Sequence, residues 1–193
     1  MQEAEAIESI RQSRKENVRF FSNVGKSERE IWIAQEFLKV LSISFSESEF
    51  ISQIESSDVD VIFRDANFQI KELTEPDCRR HAEVSDDLKR AASAKKLSEL
   101  FAPPVVKNVG EYEDAYPLIQ DFADNARYAT SKAKLDLLVY VTHRRVFLNR
   151  AKQPANFSTL GWRSISCLFG PHAYVLVAAD NAPNFLKSQV LKK

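Results

Sequence analysis

The stretch Asp58-Val-Asp-Val-Ile-Phe-Arg-Asp-Ala-Asn-Phe-Gln-Ile-Lys-Glu72 constrains the fold more than any other part of the chain. At strand period, Val59, Val61 and Phe63 share one face, and Asp58 and Asp60 share the other. After a polar break at Arg64 to Asn67, Phe68 and Ile70 repeat the apolar face, while Gln69 and Lys71 repeat the polar one. An antiparallel fold-back around Asp65-Ala66 would set Asp60 opposite Lys71, Val61 opposite Ile70, and Phe63 opposite Phe68. That register gathers a carboxylate, an amide oxygen and an ammonium on one side of a sheet. Such a group can hold a hard divalent cation and activate a water. A plain cross-strand ion pair on an exposed face has the same sequence signature.

The surroundings of this hairpin read as an α/β chain. Residues 1–20 suggest a polar helix. Ser27-Glu-Arg-Glu30 has capping-box spacing, and Ile31, Ala34, Leu38 and Leu41 then form an apolar stripe, so a helix is expected from Ser27 to about Leu41. A second helical pattern runs from beyond Pro76 to Phe101 and stops at Pro103-Pro104. Another is expected over Tyr116 to Lys134. Leu137-Leu-Val-Tyr-Val141 is a continuous apolar run of the kind found in buried strands. Ser164–Phe169 and Tyr174–Ala178, joined through Gly170-Pro171-His172, suggest a second hairpin, and Asn181 to Val190 a closing helix. At 193 residues one domain is expected, a sandwich of helices around a mixed sheet.

Composition narrows the function classes. The 27 basic residues equal the 27 acidic ones, so any contact with nucleic acid must come from local patches. No apolar run is long enough to span a bilayer, and the start Met1-Gln-Glu-Ala-Glu is unlike a secretory signal. Cys78 and Cys167 stand far apart, which argues against a disulfide framework and for a cytoplasmic setting. Cys78 and His81 have a C-x-x-H spacing, yet Cys167, His143 and His172 are isolated, too few ligands for zinc. Trp32 and Trp162 suit packing better than base stacking. Phosphate-cradling glycine motifs are absent from a chain with 4 glycines.

A helix with a glutamate, then a strand with Asp, then a strand with (Glu or Gln)-x-Lys, resembles the PD-(D/E)XK nuclease superfamily over residues 27–142. It looks closest to a small, uncharacterised bacterial family of presumed endonucleases. Two features depart from the pattern: no Pro precedes the Asp, and Gln stands at the acidic position, as in the Mrr-like branch. The resemblance implies a restriction-endonuclease-like α/β sandwich, with residues 143–193 as an extension. It also implies catalytic residues Glu36, Asp60, Gln69 and Lys71. Mg²⁺ or Mn²⁺ would be held by Asp60, Gln69 and Glu36, with Asp58 as a further ligand. Arg79 and Arg80, just after the hairpin, and His143, Arg144 and Arg145, at the end of the predicted buried strand, are the candidates for backbone contacts. DNA is the expected substrate, with RNA and a homodimer left open. Gln69 also suits a non-catalytic member of the fold that binds nucleic acid or protein, and a structural protein without nucleic-acid chemistry is the third reading.

Overall fold

The computed structural model describes residues 3–53, 57–75, 80–101, 112–143, 145–148 and 157–190. The chain forms two compact units, 1–29 with 76–110, and 30–75 with 111–193.

In the first unit, α1 (Glu3–Phe20) and α3 (Arg80–Ser93) enclose a small core of Ile7, Ala91, Ala94 and Leu100. Arg11 donates to the carbonyls of Ala91 and Ala94, 2.8 Å each, at the end of α3. The helix expected to continue to Phe101 breaks there. The Glu99 carboxylate accepts the Lys95 N–H at 2.7 Å and opens a separate 3₁₀ turn, Leu97–Leu100. The next helix, α2 (Lys26–Val40), starts before Ser27, so Ser27 stands inside the first turn rather than at its cap. The Gly25 carbonyl takes the Arg29 N–H at 2.9 Å instead. A Cβ at Gly25 would lie 2.5 Å from the Arg19 carbonyl oxygen, so only glycine allows this close turn.

The second unit is built on a six-stranded sheet of β1 (Phe50–Ser52), β2 (Val61–Phe63), β3 (Ala66–Leu73), β5 (Asp136–Val141), β7 (Ser164–Phe169) and β8 (His172–Ala178), in that order. β1, β2 and β3 form an antiparallel meander, β3, β5 and β7 run parallel, and β8 returns antiparallel. This is a mixed α/β architecture. Two further short strands, β4 (Glu113–Asp114) and β6 (Val146–Phe147), pair with each other.

Both faces of the sheet are covered, because the central strands are apolar on both sides. On one face Val61, Phe63, Phe68, Ile70, Leu138 and Leu168 pack with Ile33, Ala34, Phe37 and Leu38 of α2, and with Leu186 of α5 (Asn184–Lys187). On the other, Leu73, Leu137, Val139, Val141, Ile165 and Cys167 pack with Tyr116, Ile119 and Ala123 of α4 (Ala115–Ala123), and with Tyr128 and Trp162. The helix expected to run to Lys134 ends at Ala123 and gives way to two 3₁₀ turns, Ala126–Tyr128 and Lys132–Lys134. The closing helix is likewise shorter than the stretch from Asn181 to Val190 suggests.

A buried ion pair locks the strands together at the start of β5. Asp136, fully buried, accepts from the guanidinium of Arg163, from the Asn67 N–H at 2.9 Å and from the Ser164 hydroxyl at 2.9 Å. Arg163 also donates to the Asp65 carbonyl at 2.6 Å. Burial holds the Asp136 carboxyl above its ordinary range, against the pull of Arg163 and the other donors.

Removing Arg163 would leave this carboxylate buried and uncompensated, so Arg163→Ala should cost about 3–5 kcal/mol near neutral pH. The native carboxyl then binds its proton at still higher pH than the unfolded one. The deficit should therefore shrink as pH falls through the raised native value towards 3.8. Urea unfolding of wild type and variant across that window checks this. A deficit that stays constant with pH would exclude Asp136 as its source.

Candidate active site on the first hairpin

The predicted hairpin forms, with a register two residues away from the one expected. Val61 pairs with Phe68, Ile62 with Asn67, and Phe63 with Ala66, so the turn is Arg64-Asp65 rather than Asp65-Ala66. Arg64 takes a left-handed φ of 52°, the positive φ that two-residue hairpin loops favour. It is held there by Glu49 at 2.7 Å and the Ser44 carbonyl at 2.9 Å. A shift of two preserves every face. Val61, Phe63, Phe68 and Ile70 are buried as expected, while Val59 is only partly so.

The shift changes who meets whom on the polar side. Asp60 lies beside Gln69, not opposite Lys71. Its Oδ2 accepts from the Gln69 side-chain amide and from the Ile70 N–H at 2.8 Å. The backbone of Asp60 is tied as well: its N–H reaches the Phe68 carbonyl at 2.9 Å, and its carbonyl takes the Gln53 N–H at 3.1 Å. β2 begins only at Val61, so the Asp60 carboxylate substitutes for a ladder carbonyl in satisfying Ile70. Asp60 and Gln69 are 8% and 4% exposed. The exposed ion pair that the sequence leaves open is therefore replaced by a buried acid–amide pair.

Lys71 follows Gln69 on the same face and is half-buried. Its ammonium stands over the Tyr128 ring, 5.2 Å from the centroid. Tyr128 packs against Trp162 at 5.4 Å, and the Trp162 indole N–H donates to the Ala123 carbonyl at 2.8 Å. Neither Tyr128 nor its neighbour Arg127 stands out in the sequence. Their relation to Lys71 arises only from the turn after α4, and no local pattern signals it.

Other candidates fall elsewhere. Glu36 lies on α2, which packs on the opposite face of the sheet, and pairs with Lys39 at 2.7 Å. The structure does not bring it to Asp60. Asp58 is partly exposed in the bend before β2. Glu72, alternating away from Lys71, accepts from the Thr142 hydroxyl at 3.0 Å. His143 is buried, with its Nδ1 accepting the Arg145 N–H at 3.1 Å, a local turn that leaves Arg145 partly exposed. Cys78, Arg79 and Arg144 lie outside the described residues, as does the side chain of Arg80. Trp162 is a core residue, and Trp32 packs edge-on against Tyr140 at 5.8 Å.

Among the described residues no three His, Cys, Asp or Glu side chains converge as a metal cage. Asp60 and Gln69 offer one carboxylate and one amide oxygen. That donor set fits Mg²⁺ or Mn²⁺ only where phosphate oxygens and water complete the shell, as Mg²⁺ sites commonly arrange. The contact between the pair makes this testable by stability. Gln69→Glu would replace an amide donor by a second carboxylate against Asp60, which should destabilise the protein in chelator by about 1–3 kcal/mol. Mn²⁺ should restore most of that loss, while leaving wild type nearly unchanged. Thermal melts with chelator and with Mn²⁺ check it, and equal melting of Gln69→Glu in both would count against a cation site here.

A family described as "Putative endonuclease, protein of unknown function (DUF1780)" matches residues 2–193, and the chain belongs to it. A solved structure of a protein of unknown function from Pseudomonas aeruginosa strain PAO1, described as of the monooxygenase superfamily, is 21% identical. The match covers 100% of this chain and 94% of that one, with a TM-score of 0.58, a likeness of fold. No curated protein matches the chain. No helix among the described residues is long and apolar enough to cross a membrane.

Proposed function

We propose that this member of an endonuclease-designated family hydrolyses phosphodiester bonds in DNA at Asp60, Gln69 and Lys71, on a restriction-endonuclease-like core. The carrying observation is the Asp60–Gln69 contact, with Lys71 next on the same strand face. The meander of β1, β2 and β3, followed by the parallel pairing of β3 with β5, supports that core. It delivers the Asp strand and the Gln-x-Lys strand in the order that the resemblance requires.

Asp60 and the Gln69 carbonyl oxygen would hold Mg²⁺ or Mn²⁺, which when bound supplies charge stabilisation and lowers the pKa of a water. The side chains do the rest. Asp60, clamped by Ile70 and Gln69, keeps one fixed orientation and needs no reorganisation to act. Lys71, steered by Tyr128, would neutralise charge building on the phosphoryl oxygens and orient the attacking water. Glu36 has no part in this reading, since its helix covers the other face.

One observation favours a second reading, a nuclease fold that binds without cutting. Asp60 and Gln69 bond to each other and to Ile70, as a purely structural strand-end clamp would. Activity separates the two. Because Asp60 holds the strands, Asp60→Ala should lose about 1–3 kcal/mol of stability, which makes it a poor probe of chemistry. Asp60→Asn keeps an acceptor for both donors and removes the charge. We expect purified wild type to cleave supercoiled, linear or branched DNA with Mg²⁺ or Mn²⁺ and not with chelator. Asp60→Asn and Lys71→Met should lower cleavage by about 10²-fold or more while remaining folded. RNA in the same assay tests the substrate assignment. If wild type cleaves no DNA under any metal condition, the hydrolytic reading is lost and the binding reading takes its place.

A further inference from the structure

We infer that Arg127 and Lys71 together seat consecutive phosphates of a nucleic-acid strand, with Tyr128 as their common support. This rests on the reading of the hairpin as a nucleic-acid site and assigns it a backbone-contact residue.

Two cations stand beside one aromatic ring. The Arg127 guanidinium lies 5.4 Å from the Tyr128 ring centroid, and the Lys71 ammonium 5.2 Å from the same centroid. Their separation is therefore no greater than the sum of those distances. Among the described residues, neither forms an ion pair. Each cation is attracted by the ring's π system, which does not neutralise its charge. A multivalent anion reaching both would supply the counter-charge that the ring does not.

The support is rigid. Tyr128 is 2% exposed and fixed by Trp162, and the Arg127 N–H is capped by the Asn125 side chain at 2.9 Å. Arg127 itself is exposed, so an incoming ligand can reach it without unfolding anything. Lys71 lies two residues along β3 from Gln69, on the same face. An anion seated on Lys71 therefore lies two residues along the strand from the acid–amide pair. A phosphodiester backbone supplies repeated charges on one flexible line and can therefore meet both cations.

The surroundings suit one strand better than a broad electrostatic surface. The chain is neutral overall, so non-specific attraction from net charge is small. Recognition must then come from a few well-placed cations, and their number should show in the salt dependence.

The test uses the full-length chain carrying Asp60→Asn, so that the nucleic acid stays intact, in chelator. Binding of labelled single-stranded and duplex DNA is followed by fluorescence anisotropy over a salt series. Arg127→Gln should weaken binding roughly tenfold and reduce the slope of log K against log salt by about one. Arg127→Lys should keep the slope and lose only part of the affinity, because the charge remains while the guanidinium fork is gone. Lys134→Gln, removing an exposed cation near the same turn, is the control and should change little. Equal losses for Arg127→Gln and Lys134→Gln, or no loss for either, would overturn the assignment. The two readings fail separately. Metal-dependent cleavage by wild type with unaltered binding by Arg127→Gln rejects the phosphate seat alone. Arg127-dependent binding without cleavage by wild type rejects hydrolysis alone.

Discussion

The position of every residue in the candidate site depends on the Asp136–Arg163 pair. One carboxylate gathers the first N–H of the β3 turn region, a hydroxyl from β7 and the guanidinium that also holds the hairpin's tip. These contacts fix three strands at one level, with Phe68, Asp136 and Ser164 side by side. From that row the register runs upward without choice: Gln69 beside Leu137, Lys71 beside Val139, Leu73 beside Val141. A slip of one residue would turn Gln69 and Lys71 into the face occupied by α2 and push Phe68 and Ile70 against α4. The ion pair need not stabilise the fold more than apolar residues of equal volume would. Its importance is that its hydrogen bonds can be satisfied in one alignment, and that alignment fixes where Gln69 and Lys71 stand beside β5.

Two levels of this arrangement differ in how far they can be read from residues. Alternation in 58–72 is a local property, so it gave the faces of Val61, Phe63, Phe68, Ile70, Gln69 and Lys71 correctly. Register is not local. The turn was expected at Asp65-Ala66 because that register matches buried with buried and polar with polar, a condition that a shift of two residues meets equally well. The structure places Arg64 in the turn because Glu49 and Ser44, far back in the chain, take its guanidinium, and because Ala66 is needed in the ladder against Phe63. Once that is known, Asp60 and Gln69 must be neighbours.

Glu36 illustrates a second limit. The stripe of Ile33, Ala34, Phe37 and Leu38 shows that α2 is amphipathic, and no feature of a single helix says which side of a sheet it will cover. That depends on which sheet face offers the larger apolar complement, here the one carrying Phe63 and Phe68. Neighbours to Lys71 were equally hidden. Tyr128 and Arg127 reach it because α4 ends early at Asp124, whose N–H bonds back to the Gln120 carbonyl at 2.8 Å, and the chain then turns under the sheet. One helix from Tyr116 to Lys134, as the sequence suggests, contains no such turn.

The polar residues of the hairpin were expected on an open sheet face, and the structure covers that face. This alters what Asp60 can be. An exposed carboxylate is free to move between partners, and its removal has little effect on the fold. A carboxylate that replaces a ladder carbonyl cannot leave its position without stranding the Ile70 N–H, so its fixed orientation comes from the same hydrogen bond that ends the strand. In the proposed reading, structural and chemical roles would thus fall on one atom pair rather than on separate residues. The consequence is a carboxylate held in one orientation by the strand itself, at which loss of charge and loss of fold can be told apart only by substitutions that keep an acceptor at that oxygen.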